Sequence, residues 1–430
     1  MRIEIAQRPV VAAVIGAAVA VFVADLAGRD TSRLVLDVRA FHGEPWRVLT
    51  TVLPHADVLH LGFNLLWLAR LGTALERGGG SLAAAGVVLL GAVIPGVAQY
   101  ALAGSGIGLS GVVYAVAALL WVLRRDARFA GAMTHRDAVL LVAWFFFCIA
   151  TTWTGVWAVA NVAHGAGALV GLAVATMVRW RGVRRATAGL AMAALGAASL
   201  AGATRLRPLV NLDREVGSDA SHLGWVALDQ ERNAEAMMWL TEATRVAPRC
   251  AACWSNLGVA RHRAADLEGA VEAFRRSHAI DPTPAARANL AGALARRAGV
   301  ADAESRWSDA AALYREAIAV DDGAADLHLR LGAALAFDGH DEEAVLAYRA
   351  ADARADGAPH VRGMLVLMLA RASAHAFEAG RHADAARLAQ EATGLDPASR
   401  VAWINLAAAR AALGDADGAA AAARRADTLP

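Results

Sequence analysis

Seven apolar stretches occupy the first 203 residues of this chain, and most of them are as long as a membrane-spanning helix. A helix needs roughly 17 to 25 mostly apolar residues to cross the hydrocarbon core of a bilayer. The last stretch is mostly alanine and glycine, which favours its insertion less than that of the other six. The sequence therefore predicts a six-helix membrane bundle with a candidate seventh span. The stretches are Val10–Leu26, Val58–Ala74, Leu82–Ala103, Ile107–Leu123, Ala138–Thr152, Val156–Val178 and Ala186–Ala203.

The distribution of charge divides the chain into two parts. Hydrophobic residues make up 57% of the chain and charged residues 19%, which excludes an ordinary soluble enzyme. Charged residues are sparse up to Ala203 but recur at helical spacing from Arg205 onward. We therefore predict an all-α protein with a membrane domain at residues 1–182, a seventh transmembrane helix at 183–204 and a helical repeat domain at 217–430. A net charge of +2 without one basic stripe gives no reason to expect a nucleic-acid partner.

The positions of the arginines predict the orientation, because cytoplasmic loops are enriched in basic residues. Arginines cluster between the fourth and fifth stretches, at 124–136, and after the sixth, at 179–185, so both loops are predicted to be cytoplasmic. The loop at 28–55 also holds four arginines and breaks this pattern, so we expect a folded external element there. The second, fourth and sixth spans then begin at the outer face. These features predict a multi-pass protein of the bacterial inner membrane.

Four polar residues occur near the outer ends of those three spans. Ser110 opens the fourth span, while His60 and Asn64 lie in the first two turns of the second. His164 lies about eight residues into the predicted sixth span, roughly 12 Å deep at 1.5 Å per residue. Because polar and ionisable groups are costly at such depth, their convergence indicates a functional site.

Ser110 and His164 have the chemistry of a nucleophile and its general base. No acidic residue is available at their depth, so the pair is predicted to be a dyad. Tyr114 lies one turn after Ser110 and is expected to stack under the imidazole and orient it.

An acyl-transfer reaction also needs hydrogen-bond donors for the oxyanion. The candidates are His60, Asn64 and the backbone N–H groups of Leu109 and Ser110. The fourth and sixth helices must approach each other closely, which small residues allow in a membrane. Glycines are available for this contact at positions Gly108, Gly111, Gly167 and Gly171.

Several motifs occur together: Trp46-Arg47 in the first external loop, the series His55, His60 and Asn64, the run Gly108–Tyr114, and Ala163-His164 followed by Gly167 and Gly171. In this combination, about the first 180 residues resemble the rhomboid family of intramembrane serine proteases. The resemblance implies that Ser110 is the nucleophile and His164 the base, with His60 and Asn64 assisting the oxyanion. It also implies substrates that are transmembrane helices, cut near the outer face without a cofactor or metal, and a lipid-embedded loop that contains Trp46 and Arg47.

Two other functions remain open from the sequence. A rhomboid-like scaffold without catalytic activity would bind transmembrane clients, but it would need neither Ser110 nor His164. A transporter of small solutes is disfavoured because the chain lacks inverted repeats.

A period of 34 residues marks the second half of the chain. Leu223-Gly224 recurs as Leu257-Gly258, and Pro248 recurs as Pro282. This pattern resembles the tetratricopeptide repeat and predicts about six helical hairpins that stack into a right-handed solenoid. The third repeat is seven residues longer, with the insertion predicted at Gly299–Arg306. We expect the groove to bind peptides or proteins, the alternative being a spacer.

Three cysteines are too few for a disulfide framework. Cys250 and Cys253 form a Cys-x-x-Cys motif at a repeat junction, and a metal site would need two further ligands that the sequence does not offer. Two states of this pair remain open, ordinary helix packing and, outside the cytoplasm, a disulfide.

Insertion of the seventh span would place the repeats on the same side of the membrane as the active site. We predict that this span inserts and that the repeat domain lies outside the cytoplasm.

Overall fold

The computed structural model describes residues 7–213, 216–356 and 358–430. These residues form helices, turns and loops without a β-strand, so the predicted all-α fold class is confirmed. The chain divides into two compact units. The first contains the residues up to His222 together with Arg245–Pro248, and the second contains Leu223–Thr244 and Arg249–Pro430.

Seven apolar helices form the first unit. Within the described residues they are α1 (Pro9–Leu26), α2 (Val58–Gly79), α3 (Ser81–Ala103), α4 (Ser110–Leu123), α5 (His135–Trp153), α6 (Asn161–Arg179) and α7 (Val183–Ala203). Six of them have the length and composition of membrane spans, and α4 is a shorter apolar helix of 14 residues. Helix α6 begins later than the predicted sixth span, at Asn161 rather than Val156, because residues 156–160 belong to the preceding loop.

Helix α4 lies at the centre of this unit. Ten of its 14 residues are buried, and its sequence is apolar on every side, as in the core of a bundle. By contrast, α1, α5 and α7 bury few residues and expose long apolar faces. Such faces suit contact with lipid, and the chain is an integral membrane protein.

Two carboxylates fasten the outer helices to α2. Glu76 accepts hydrogen bonds from the N–H groups of Val10 (3.1 Å) and Val11 (3.0 Å). A negative charge is favourable there because the first N–H groups of α1 have no intrahelical partner. Near the start of α5, Asp137 pairs with Arg70 of α2. Hydrogen bonds to Glu76 thus hold α1 against α2, and the ion pair with Arg70 holds α5 against the same helix.

The loop between α1 and α2 is a folded element organised by a buried arginine. The Arg47 side chain is 1% exposed and donates hydrogen bonds to the carbonyl oxygens of Ser32 and Val35, both at 2.9 Å. It also pairs with Asp37 and Glu44. Two of the four arginines in this loop are thus engaged within it, since Arg47 is buried and Arg39 pairs with Asp37.

Six helical hairpins follow among the described residues, as the 34-residue period predicts. Small residues lie where the two helices of a hairpin touch: a Cβ on Gly258 would lie 2.6 Å from the Phe274 ring, and one on Gly332 would lie 2.9 Å from the Tyr348 ring. The hairpins are α8–α9 (Ser218–Asp229, Asn233–Val246), α10–α11 (Ala251–Arg263, Leu267–Ile280), α12–α13 (Pro284–Ala303, Trp307–Val320), α14–α15 (Ala325–Phe337, Asp341–Arg354), α16–α17 (Pro359–Glu378, His382–Leu395) and α18–α19 (Arg400–Ala412, Ala416–Asp427).

Two hairpins have a longer first helix. Helices α12 and α16 each contain 20 residues, against 13 in α10, α14 and α18. The turn after α12 matches the turn after α10, since Ser305 and Ala265 have similar positive φ angles of 58° and 61°. The insertion predicted at Gly299–Arg306 was therefore misplaced. The extra residues are helical and precede this turn, because no proline interrupts the alanine-rich segment.

Cys250 and Cys253 form a disulfide at the start of α10. Cys250 is the N-cap residue, and its Sγ accepts a hydrogen bond from the N–H of Cys253 at 3.1 Å. Of the two states that the sequence left open, the structure has the oxidised pair. Cys148 in α5 is a buried free thiol.

Candidate active site

Ser110 is the first residue of α4 and lies two residues after Gly108, a glycine that no other residue could replace without strain. Gly108 has a φ of +99°. A Cβ at that position would lie 2.8 Å from both Cε1 and Nε2 of His60, so the absence of a side chain lets this imidazole reach the backbone before Ser110. The first N–H groups of α4 have no intrahelical partner, and the positive end of the helix dipole lies at Ser110. This position favours a developing negative charge.

Helices α4 and α6 pack backbone against backbone. A Cβ on Gly167 would overlap the carbonyl oxygen of Gly111 and lie 3.1 Å from its carbonyl carbon. A Cβ on Gly171 would lie 2.9 Å from the carbonyl carbon of Ala115. Such separations leave no room for a side chain on α6, so the predicted glycine strip lies at the contact.

This packing brings together the backbone segments that carry Ser110 and His164. A Cβ on Gly111, the residue after Ser110, would lie 3.5 Å from the carbonyl oxygen of Ala163, the residue before His164. Since α6 begins at Asn161, His164 lies in its first turn and not eight residues into the helix, which corrects the predicted depth. The two candidate reacting side chains therefore project from the N-terminal ends of two touching helices.

The His164 ring is held by stacking and not by a carboxylate. His164 is 3% exposed, and its ring stacks on that of Tyr114 with centroids 4.7 Å apart and planes at 24°. The Tyr114 hydroxyl donates a hydrogen bond to the carbonyl oxygen of Leu141 at 2.9 Å, which fixes the Tyr114 ring. Among the described residues, Nδ1 of His164 has no hydrogen-bond partner. Stacking is thus the observed orienting contact.

His60 and Asn64 lie on α2, and the His60 ring faces the backbone before Ser110. Nδ1 of His60 accepts a hydrogen bond from the Ala56 N–H at 3.4 Å, which places the ring proton on Nε2. That Nε2 is the atom next to Gly108. Asn64 is 1% exposed and uses one amide hydrogen on the His60 carbonyl oxygen at 3.1 Å, leaving its second amide hydrogen as a further possible donor.

His55 contacts the site, although it was not among the site residues predicted from the sequence. Its Nδ1 donates to the carbonyl oxygen of Leu53 at 2.9 Å, and its Nε2 accepts from the Leu109 N–H at 3.4 Å. The Leu109 N–H, expected to support an oxyanion, is therefore occupied in this structure, because the neighbouring imidazole offers it an acceptor. The signal was present in the spacing of His55 and His60, whose rings meet edge to face with centroids 4.9 Å apart.

Burial, followed by the neighbouring His60, lowers the pKa of His55 from 6.5 to about 4. Between these values the unfolded chain binds a proton that the folded chain does not, so this residue stabilises the fold above pH 6.5 and loses its contribution as the pH falls towards 4. A shift of this size corresponds to at most about 3 kcal/mol.

We expect His55→Gln to weaken the dependence of unfolding temperature on pH between 7.5 and 5, measured in detergent micelles. The matched control is His360→Gln at an exposed histidine of α16. Equal pH dependence in the wild-type protein and both variants would show that His55 is not buried in its neutral form.

The Trp46-Arg47 loop connects to the site through Thr51. The Thr51 hydroxyl donates a hydrogen bond to the Gly106 carbonyl oxygen at 2.6 Å, and the Thr51 carbonyl oxygen accepts one from the Gly108 N–H at 3.2 Å. Arg47 is buried and orders the loop from inside. Trp46 is half exposed, so its indole lies on the outside of the loop. The loop therefore supports the segment that leads to Ser110.

Gln99 of α3 is a second residue that the sequence did not single out. It is 4% exposed, and its Oε1 accepts a hydrogen bond from the Ala163 N–H at 3.2 Å, in the first turn of α6. With Gly106, Ala160 and Ser110 it lines a small pocket. A lone amide within an apolar stretch was the available signal. The free volume of the pocket beside Ser110 is about 20 Å³, so it accommodates only a small group.

Comparison with known proteins finds similarity in the first part of the chain. The family model of the Rhomboid domain matches residues 42–181. Similar curated proteins include the rhomboid protease GlpG of Salmonella paratyphi A and that of Salmonella newport, each 34% identical over 133 residues. Those matches cover 31% of this chain and 48% of each relative, so the chain spans about half the length of the curated relatives it matches.

Three solved structures are similar to part of this chain. A crystal structure of MamA is 18% identical, with 40% of this chain and 93% of that chain covered at a TM-score of 0.26. YrrB, a TPR protein with an unusual peptide-binding site, is 17% identical, with 44% and 91% covered at a TM-score of 0.27. MamA from Desulfovibrio magneticus RS-1 is 16% identical, with 50% and 94% covered at a TM-score of 0.25.

Proposed function

We propose that the protein is an intramembrane serine endopeptidase, on the premise that residues 42–181 match the model of the Rhomboid domain. Ser110 is its nucleophile and His164 its general base. The observation that carries the proposal is the contact between α4 and α6, in which Gly111, the neighbour of Ser110, meets Ala163, the neighbour of His164. The substrates are single transmembrane helices of other proteins, cut near the outer face of the bilayer.

The reaction follows from this geometry. His164 takes the proton from the Ser110 hydroxyl as its Oγ attacks the peptide carbonyl carbon, and then gives the proton to the departing amine. Water hydrolyses the resulting acyl-enzyme with His164 again acting as the base. When the ring is protonated, the face of Tyr114 stabilises the positive charge by a cation–π interaction. This contact takes the orienting role that a carboxylate has in a triad.

The oxyanion is stabilised by donors that converge on the start of α4. Nε2–H of His60 and the second amide hydrogen of Asn64 supply two donors, and the Ser110 N–H lies at the positive end of the helix. The Leu109 N–H joins them only after leaving His55. The walls of the pocket next to Ser110 favour cleavage beside small residues.

The proposal is tested by expressing the full chain together with a tagged single-span reporter that has small residues in the outer half of its helix. The expected result is a shorter tagged fragment that depends on this chain. If the reporter stays intact while it can be co-purified with the chain, the protein is a scaffold that holds transmembrane clients.

We propose that residues 1–182 form the protease domain, 183–204 the seventh span and 217–430 a repeat domain outside the cytoplasm, where it recruits substrates or protein partners. Helix α7 ends at Ala203, which packs with Tyr100 and Ala101 at the end of α3. The loop from that end of α3 leads to Ser110, so the chain leaves α7 on the Ser110 side. The disulfide at Cys250 and Cys253 fits an oxidising compartment, which in bacteria lies outside the inner membrane.

This topology predicts that alkaline phosphatase fused after Pro430 will be active, since the enzyme folds only outside the cytoplasm. Phosphatase fused after Arg181, between α6 and α7, should be inactive and serves as the control. A fluorescent protein that matures only in the cytoplasm should give the opposite pattern. Cytoplasmic signals from both fusion points would remove the seventh span from the proposal.

A further inference from the structure

The segment after the seventh helix, described at residues 204–213 and 216–222, returns to the end of α3, and these residues are called the return segment here. It contains a short helix at Arg207–Val210 and the first turn of α8. Its residues up to His222 belong to the first compact unit. The segment lies after residues 42–181, the part of the chain that matches the Rhomboid domain. The match to the Rhomboid domain therefore does not account for the contacts of this segment with the membrane helices.

A buried polar cluster joins the return segment to α3. Tyr100 is 1% exposed and Arg207 is 4% exposed, with the guanidinium 3.8 Å from the centre of the Tyr100 ring. The Tyr100 hydroxyl donates to Oδ2 of Asp219 at 2.6 Å, and Arg207 donates to the Tyr100 hydroxyl. Oδ1 of Asp219 lies 3.5 Å from Nη1 of Arg207. A charge pair buried to this extent is stable only when both partners are present.

The return segment also completes the end of α3. The last carbonyl groups of a helix lack intrahelical partners. Here the Asn211 side-chain amide donates to the carbonyl oxygens of Tyr100 (3.3 Å) and Ala101 (3.0 Å), and the Leu212 N–H donates to that of Leu102 (2.7 Å). The end of α3, from which the loop to Ser110 departs, is thus terminated by residues that follow α7.

The same cluster holds the external loop on which the segment before Ser110 rests. Oδ2 of Asp219 accepts a hydrogen bond from the Val38 N–H at 2.9 Å. Two residues earlier, the Leu36 carbonyl oxygen accepts from the Ser105 hydroxyl at 2.6 Å. Loop 104–109, which ends at Ser110, is therefore fixed at its start through α3 and along its length through the external loop. Asp219 contributes to both attachments.

We propose that Tyr100, Arg207 and Asp219 are positioning residues that hold loop 104–109, and with it Ser110, in its reactive geometry. The return segment is then a working part of the protease and not merely a linker to the repeats. This inference rests on the proposed function, since it assigns a role in the same reaction. It predicts that weakening the cluster of Tyr100, Arg207 and Asp219 lowers the rate of the reaction at Ser110.

The test uses full-length variants that remove single polar groups: Tyr100→Phe, Asp219→Asn and the double variant. The second unit offers a matched control, because the Tyr314 hydroxyl donates to Oδ2 of Asp302 at 2.7 Å in a similar buried pair. Tyr314→Phe and Asp302→Asn therefore remove the same groups away from the protease.

Two measurements separate a positioning role from general destabilisation. In cleavage of the reporter, the double variant at Tyr100 and Asp219 should lower kcat about ten-fold and leave KM within two-fold, since small displacements of reacting groups reduce rate more than binding. Hydrogen exchange of the peptide that covers residues 104–109 should become faster in the same variants. Tyr100→Phe, which removes one oxygen atom, should retain the wild-type unfolding temperature within a few degrees and still show both effects.

The inference is overturned if kcat and the exchange of loop 104–109 match those of the wild-type protein, or if the Tyr314 and Asp302 controls change them equally. It is also overturned if the variants raise KM alone. The exchange experiment is repeated in a Ser110→Ala background, where no cleavage is needed. Unchanged exchange there removes the positioning role, whereas absence of cleavage by the wild-type protein removes the proposed function instead.

Discussion

Replacement of Ser110 by alanine should abolish cleavage of the reporter helix. The proposed reaction uses the serine hydroxyl as the attacking group, so we expect kcat/KM to fall by at least about a thousand-fold. The variant should insert and fold normally, because Ser110 lies at a helix start where alanine is accommodated. Cleavage is measured by immunoblot of the fragment, and the amount of enzyme by a second tag.

Ser199→Ala is the matched control for this variant. Ser199 is a buried serine in α7 whose hydroxyl donates to the Leu195 carbonyl oxygen of its own helix at 2.7 Å. We expect it to leave cleavage unchanged within about two-fold, because such a bond has little effect on a membrane helix. Undiminished cleavage by the Ser110 variant would end the assignment of Ser110 as the nucleophile.

The second large effect is expected from Gly167→Ala. A Cβ at Gly167 would overlap the carbonyl oxygen of Gly111 and lie 3.2 Å from its Cα, so backbone atoms and not a flexible side chain must move. Overpacking of this kind costs about 1–3 kcal/mol of stability. The helices must separate, which moves His164 away from Ser110. A displacement of about 1 Å is enough to reduce activity roughly a hundred-fold.

Gly165→Ala tests whether this effect is steric. Gly165 lies in the same helix two residues earlier, and a Cβ there has no neighbouring atom within 4 Å. Thermal unfolding and reporter cleavage of this variant should match the wild-type protein. If the two alanine variants behave alike, helix propensity and not the contact with Gly111 determines the outcome.

The sequence predicts what depends on local pattern and spacing. Seven apolar stretches predict seven helices because a membrane span has a required length, and the glycines of α6 predict its close contact with α4. A serine and a histidine in separate spans indicate a shared site only together, since each alone is compatible with ordinary packing. The 34-residue period likewise predicts the hairpins, because each repeat must present the same small residues to its neighbours.

Features that depend on contacts between distant segments were not predictable in this way. The bond from the Leu109 N–H to His55 joins two loops, and the Tyr100 cluster joins α3 to residues more than 100 positions later. The beginning of α6 was misjudged because residues 156–160 are mostly apolar and resemble a continuing span. Nothing in the spacing of Cys250 and Cys253 distinguishes a disulfide from two packed thiols, since the compartment decides the outcome.

The 20-residue length of α12 and α16 shows how this array accommodates insertions. Their excess over the 13-residue helices is seven residues, close to two turns at 3.6 residues each. An addition of that size returns the apolar face almost to its original direction, so a lengthened hairpin still packs on unchanged neighbours. Insertions of other sizes would rotate the apolar face away from the neighbouring hairpins and destabilise the array.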